Sequence, residues 1–414
     1  MESILVVGSG LAGLSAARAA RNLGFRGSLT IVGDEPQRPY DRPPLSKDYL
    51  AGTLARDELD LENGGEDLDA RWLLGVRATG LDPLTRTVTT EDDQQLSADG
   101  IVLATGSVAM LPPDLRLPDG SYPANLSTLR TVADADRLRA QLQPDCRLLI
   151  VGGGLIGTEV AATAQALGCQ VTVLARESVP LDRLYGPEMA VPVAAVHERH
   201  GVELVRGAFV ERVELAGDRV DSLTLTSGRV LATDAVLVAI GARPGTDWLH
   251  GSGLELGDGV VCDSHGRTSA PGIVAVGDCA AWFDRHLERA HRTQHWTDAQ
   301  ERPVLAVAAL LDRELPPQRP SLPYFWSEVY DLRIQMAGYA SLADSVRVEQ
   351  GDPGTGAFLA LYRRGADPVA VLGISTPREF TRWRKTIAAG MATTSVETRP
   401  SADAAPAASG PAPY

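Results

Sequence analysis

Cysteine is close to absent. The 414 residues contain four, Cys146, Cys169, Cys262 and Cys279, and no two stand at CxxC or CxxxxC spacing. That excludes a redox-active dithiol motif, a zinc knuckle and an iron–sulfur ligand set. The four read as small buried hydrophobes of a reducing compartment, and no metal site is expected. Net positive charge is absent as well. The 39 Lys and Arg are outnumbered by 53 Asp and Glu, a formal charge of −14, which argues against nucleic acid as the main partner. No apolar run approaches the roughly 20 residues that span a bilayer. Strand-like ILVV begins at Ile4 with no basic segment or cleavage site before it, so no signal peptide is expected. The expectation is a soluble, cytoplasmic protein.

Glycine, by contrast, sits where chemistry needs it. ILVVGSGLAG (4–13) and LLIVGGGLIG (148–157) are the same pattern, an apolar run feeding a glycine-rich turn. Both fit GxGxxG, with Gly8, Gly10 and Gly13 in the first and Gly152, Gly154 and Gly157 in the second. The first glycine permits a tight turn and the second lets a pyrophosphate approach the backbone. The third lets helix and strand pack closely, while the helix N-terminus faces the phosphates. Leu11 and Ala12 complete the first cradle, and Ile156 the second. Each cradle reads strand, turn, helix, strand: 4–7, 14–23 and 29–32, then 148–151, 158–167 and 171–174. Alternation of this kind implies parallel sheets.

A second echo follows each cradle. LSADGIVLATGS (96–107) resembles LATDAVLVAIGA (231–242), and each reads as the closing strand of a nucleotide domain. The expected fold is α/β, with two Rossmann-like dinucleotide-binding domains and a small α+β C-terminal domain. The expected boundaries are 1–110 and 236–318 for the first domain, with 111–235 inserted as the second. Residues 319–390 form the third, and the Ala/Pro/Ser-rich stretch 391–414 is expected to be disordered.

An acid is needed about 20 residues past each cradle to hold the adenosine ribose. Glu35 satisfies this in the first unit. In the second the place holds Ala175 and Arg176. Losing the carboxylate removes repulsion against a 2′-phosphate, and Arg176 could pair with one. It could equally stack on adenine or point to solvent, so NADH and NADPH both stay open.

RPYDRPPLSK (38–47), VLATGS (102–107), GGGLIGTEVAA (152–162), VAVGDCA (274–280) and PYFWSEVYD (323–331) occur in that order. In this the chain resembles the FAD-dependent ferredoxin reductases that serve cytochrome P450 and Rieske oxygenases, a glutathione-reductase-like family. The likeness covers about residues 1–390. A more distant likeness is to the apoptosis-inducing-factor flavoproteins.

The resemblance implies FAD on the first cradle and NADH or NADPH on the second. It implies Arg42 and Lys47 as cations beside the flavin, on backbone stiffened by Pro43–Pro44. Asp278 would accept from the ribityl chain. Ala104, Thr105, Gly106, Gly241 and Gly277 would let backbone pass close to a cofactor. Glu159 would lie near the nicotinamide and pair with Lys47, positioning rather than moving a proton. Trp296 would line the flavin, and Trp326 would reach toward it from the third domain.

The implied partner is a small acidic iron–sulfur ferredoxin, and a monomer is the default. Residues 361–385 carry Arg363, Arg364, Arg378, Arg382, Arg384 and Lys385 against Asp367 and Glu379. That local excess suits an acidic partner, or is a solvated face. The pairs His291/His295 and His197/His200 lack a third ligand and read as ordinary histidines. Relatives usually carry Glu at Gln294 and Gln-Gly at Arg302–Pro303, and a helix could start or kink at Pro303. An NAD(P)H oxidase, peroxidase or disulfide reductase is a second reading. A redox-responsive binding protein is a third.

Overall fold

The computed structural model describes residues 1–62, 66–117, 119–316 and 322–397. Strand Ser3–Val7 lies between Ser28–Gly33 and Gly100–Leu103, with Ala70–Leu74 and Ile273–Ala275 outside them. All four pairings are parallel. Ile4 to Val7 are no more than 2% exposed, as a continuous apolar run covered on both faces requires.

The second sheet repeats the plan. Arg147–Val151 lies between Gln170–Ala175 and Ala235–Val238, flanked by Glu203–Arg206 and Leu126–Ser127, again parallel throughout. The two sheets pack separate cores. The third domain differs. Tyr324–Val329, Leu332–Gly338, Asp367–Ile374, Ala357–Arg364 and Ser345–Asp352 form an antiparallel sheet covered by the helix Pro377–Glu397.

Four expectations change. Ala235–Val238 belongs to the second sheet, so the second domain does not end at residue 235. The chain returns through Ala242–Pro244, which pairs antiparallel with the outgoing strand Ser107–Ala109. The cradle helices span Leu11–Asn22 and Leu155–Ala166, each starting three residues early, because the third glycine packs inside the helix instead of preceding it. The last helix carries on to Glu397, where disorder from residue 391 was expected. Met391 packs on the third core, and no proline interrupts before Pro400. Residues 398–414 lie outside the described residues. Finally, the helix carrying Pro303 starts at Trp296 and runs through it to Leu310.

No helix among the described residues is long and apolar enough to cross a membrane.

Candidate functional site

Gly8 has φ +116°, and a Cβ there would lie 2.1 Å from the Ala104 carbonyl oxygen. A Cβ on Gly13 would lie 1.9 Å from the Gly8 oxygen. Turn, closing strand and helix therefore meet at backbone contact, which only glycine allows. Gly277 packs on Ala12, where its Cβ would come within 2.7 Å of the alanine methyl. Leu11 opens the helix. Thr105 Oγ1 donates to the Gly245 carbonyl at 2.6 Å, tying the outgoing and returning segments together beside Gly106.

A polar chain runs along this first cradle. Tyr40 Oη and Arg42 Nη2 each donate to Glu35, both at 2.5 Å. Arg42 Nη1 donates to the Arg130 carbonyl at 2.6 Å. The Arg130 guanidinium pairs with Asp278 at 2.7 Å and donates to the Ser107 carbonyl. Ser107 Oγ also donates to Asp278, at 3.1 Å. The pattern brings Glu35, Arg42 and Asp278 into one network. Tyr40 and Arg130 were not foreseen. The available signal for Arg130 is its place one residue before Thr131, whose capping box with Asp134 starts a helix.

The second cradle has the same backbone. Gly152 has φ +121°, and its Cβ would meet the Ala239 oxygen at 2.3 Å; that of Gly157 would meet the Gly152 oxygen at 2.2 Å. Nothing lies within 4 Å of a Cβ on Gly154. Ile156 is exposed at the helix start, with Ile240 beside Gly241. Ala175 is buried, and Arg176 is exposed with its guanidinium 5.7 Å from the Phe209 ring. Glu177 is taken by Arg183 at 3.3 Å, and Arg206, beside Ala175, by Glu198 at 2.7 Å. Among the described residues Arg176 has no carboxylate partner.

The three domains meet at Glu159. It is 3% exposed, and Lys47 Nζ lies 2.7 Å from Oε2. Ser46 Oγ donates to the same oxygen at 2.5 Å, and Ser327 Oγ donates to Oε1 at 2.6 Å. Lys47 also donates to the Pro43 carbonyl. Nearby, Trp296 Nε1 donates to Asp41 at 2.7 Å, and burial raises that carboxyl group's pKa. Trp296 meets Trp326 edge to face, with centroids 5.9 Å apart. The structure thus pairs Lys47 with Glu159 and sets Trp296 against Trp326. Ser46 and Ser327 were missed, since a lone serine carries no pattern.

The basic stretch divides. Arg363 pairs with Glu349, and Arg384 stacks on Tyr324 at 4.2 Å. Arg378, Arg382 and Lys385 are exposed at i, i+4 and i+7 of the last helix, one face of it. Arg364 is exposed at the end of another strand.

The histidine pairs have separate duties. His291 lies opposite Trp282 in a strand pair, and His295 is half-buried with its ring 5.2 Å from that of Phe325. His197 is buried with Nδ1 on Tyr330 Oη, while His200 stacks on that ring at 3.7 Å. No group of three or more His, Cys, Asp or Glu among the described residues could hold a metal ion. Gln294, with its amide oxygen toward Arg292, accepts from that guanidinium. Arg302 pairs with Asp298 one helical turn away. All four cysteines are buried and free. Burial pushes the Cys169 thiol up to about 11 and raises that of Cys279 beside Asp278.

Two dinucleotide cradles joined through a buried Lys–Glu pair define an oxidoreductase that works with two dinucleotides. The chain belongs to the pyridine nucleotide-disulphide oxidoreductase family, whose model matches residues 2–309, and a reductase C-terminal model matches residues 324–406. Within it the chain is of the ferredoxin reductase type. It is 36% identical over 390 residues to the 5,5′-dehydrodivanillate O-demethylase ferredoxin reductase subunit of Sphingobium sp., covering 93% of each chain. It is 36% identical to the biphenyl dioxygenase system ferredoxin–NAD(+) reductase component of Paraburkholderia xenovorans, covering 92% of this chain and 91% of that one. The solved covalent putidaredoxin reductase–putidaredoxin complex superimposes with a TM-score of 0.89 at 31% identity, covering 94% and 93%.

Proposed function

We propose that this chain takes a hydride from NADH or NADPH onto FAD held in the first cradle. It then passes single electrons to a small, acidic iron–sulfur ferredoxin that serves an oxygenase. The observation that carries this reading is the Lys47–Glu159 pair, which joins the loop of the first cradle to the helix of the second.

The first cradle fits FAD. Its glycines leave room for a pyrophosphate at the helix N-terminus, and Leu11 and Ala12 supply the first helical amides. Glu35 is the acid for the adenosine ribose, and Asp278, held by Arg130, is the acceptor for the ribityl hydroxyls. Bound FAD would supply the two-electron acceptor that also gives up electrons singly. Lys47 would place positive charge where the reduced ring gathers negative charge, whereas Arg42, expected beside the flavin, is bonded to Glu35 and so lies toward the adenosine end. Glu159 holds the Lys47 ammonium in place and moves no proton. Trp296 and Trp326 cover the flavin side and exclude water from the route toward the third domain.

The coenzyme site favours NADPH. Arg176, exposed and without a carboxylate partner among the described residues, would meet a 2′-phosphate, while Glu177, which takes the place Glu35 has in the first cradle, is held by Arg183. For the partner, Arg378, Arg382 and Lys385 offer one basic helix face in an acidic protein, which would steer an acidic ferredoxin.

The test is an anaerobic titration of the purified protein, read at the flavin's blue absorbance band, with NADH and NADPH in separate runs. Rapid bleaching, with faster bleaching by NADPH, is expected. A protein that copurifies without flavin, or is bleached by neither donor, would sink the reading.

A further inference from the structure

We infer that Ser327, a residue of the third domain, positions Glu159 and through it Lys47, so that the third domain helps to set hydride entry as well as electron exit. The inference rests on the reading of Lys47 as the cation beside the flavin.

The Glu159 carboxylate is nearly sealed from water, at 3% exposure. A buried carboxylate is stable only where hydrogen-bond donors reach it. Ser46 and Lys47 both sit on Oε2. Oε1 has one partner among the described residues, Ser327. The last torsion of a glutamate is broad, and contacts to a single oxygen leave the plane free to rotate about it. Ser327 is therefore the group that fixes the plane. Once the plane is fixed, Oε2 has one position, and so does the ammonium it holds.

The surroundings support a positioning role over simple packing. Ser327 lies in strand Tyr324–Val329 and is 1% exposed. Its neighbour Trp326 points to the opposite face, as strand geometry dictates, and meets Trp296 there. One strand thus touches Glu159 on one side and the tryptophan pair on the other. The backbone oxygen of Ser46 accepts from Thr163 Oγ1 at 2.7 Å, one turn beyond Glu159 on the same helix. Tyr185, fully buried and stacked with Phe325 at 6.1 Å, has its pKa raised by burial and, after that, by the nearby Glu159 charge. Ser46, Glu159 and Ser327 come one from each domain, joined through a single carboxylate.

The test compares the flavin-loaded wild type with Ser327→Ala, Ser327→Thr, Glu159→Gln and the Ala/Gln double variant in anaerobic rapid mixing. In Ser327→Ala the limiting rate of flavin reduction is expected to fall about tenfold, while coenzyme affinity stays within about twofold. Ser327→Thr keeps the hydroxyl and is expected to stay within about twofold of wild type. Adding Ser327→Ala to Glu159→Gln is expected to cost nothing further, because both act through one group. In the flavin-free protein, hydrogen exchange at residues 45–51 is expected to quicken in Ser327→Ala and not in Ser327→Thr. A wild-type rate in Ser327→Ala, equal loss in Ser327→Thr, additive loss in the double variant, or unchanged exchange would each overturn the inference. Should Ser327→Ala lose its flavin, Ser327→Cys takes its place and is read the same way, since a thiol of similar size is a weak donor. Failure of the wild type to be bleached by either coenzyme would sink the functional reading itself. A bleached wild type with an indifferent Ser327 sinks only this inference.

Discussion

At Gly8 and at Gly152 the backbone does the same thing. Both have φ near +120°, both press on the carbonyl of a closing strand, and both precede a helix of 12 residues. The surroundings differ. Around the first cradle Tyr40, Glu35, Arg42, Arg130, Asp278 and Ser107 form an unbroken polar wall. Arg130 arrives from beyond the strand by which the chain leaves the first domain. The second cradle has an exposed arginine on a phenylalanine and open space over Gly154. Glycines make a place for a pyrophosphate, and side chains decide how long it stays. The walled cradle suits a resident cofactor, and the open one suits a coenzyme that must leave after each turnover.

The sharpest way to break this comparison is to block each cradle at its middle glycine. Gly10 and Gly154 have extended backbone, φ −84° and −81°, and a Cβ on either meets no atom closer than 4.0 Å. A side chain there obstructs the ligand and not the fold. Gly10→Val should purify colourless, with flavin content down at least about tenfold. Gly154→Val should stay yellow but lose reduction by either coenzyme about 100-fold in kcat/KM. Loss of flavin in both variants would show that the cradles are not independent.

Next in size is the choice of coenzyme. Arg176→Ala should lower kcat/KM for NADPH about 10- to 100-fold, as expected for one lost charge-assisted contact, and leave NADH within about threefold. Ala175→Glu should favour NADH. Equal effects on the two coenzymes in steady-state assays would remove Arg176 from 2′-phosphate recognition.

A smaller effect is expected at the docking face. Arg382→Glu with Lys385→Glu should slow ferredoxin reduction about tenfold at low salt, with the difference shrinking as salt rises. Reduction of ferricyanide should be spared, and equal loss with both acceptors would refute docking there.

The smallest effect concerns stability. Burial holds His197 neutral, with its pKa lowered to about 4. Below pH 6.5 the unfolded chain takes up a proton that the folded chain refuses. Stability is therefore full above that pH and is lost as pH falls toward 4, by at most about 3 kcal/mol. His197→Gln should flatten that slope in denaturant titrations at pH 7 and pH 4.5. Because Tyr330 links His197 to the third domain, the second domain should show this acid sensitivity first. An unchanged slope would assign it elsewhere.

Both cradles were legible in the sequence because a glycine turn after an apolar strand is a local pattern. Lys47, Glu159, Trp296, Trp326 and Asp278 were legible only through motifs that resemble a family. Their partners were not. Ser327 lies 168 residues from Glu159, and Arg130 lies 148 from Asp278, and no periodicity reports contacts at that range. The boundary at residue 235 was misplaced for a related reason. AVLV reads as a closing strand, but only pairing with Arg147–Val151 shows which sheet it closes. Pro303 was expected to begin or bend a helix. The helix does not begin there: it starts at Trp296, and Pro303 lies buried within it.

The ribbon that carries the chain out of the first domain and back has a use in engineering. Ser107 lies opposite Pro244, and Ala109 opposite Ala242. Such partners are about 5 Å apart, so the entire inserted domain enters and leaves the rest of the molecule through one narrow doorway. A segment with such closely spaced ends can be exchanged as a cassette without stretching the host. Coenzyme choice is then a property that can be transplanted whole between related reductases, provided that the graft brings a glutamate to meet Ser46, Lys47 and Ser327.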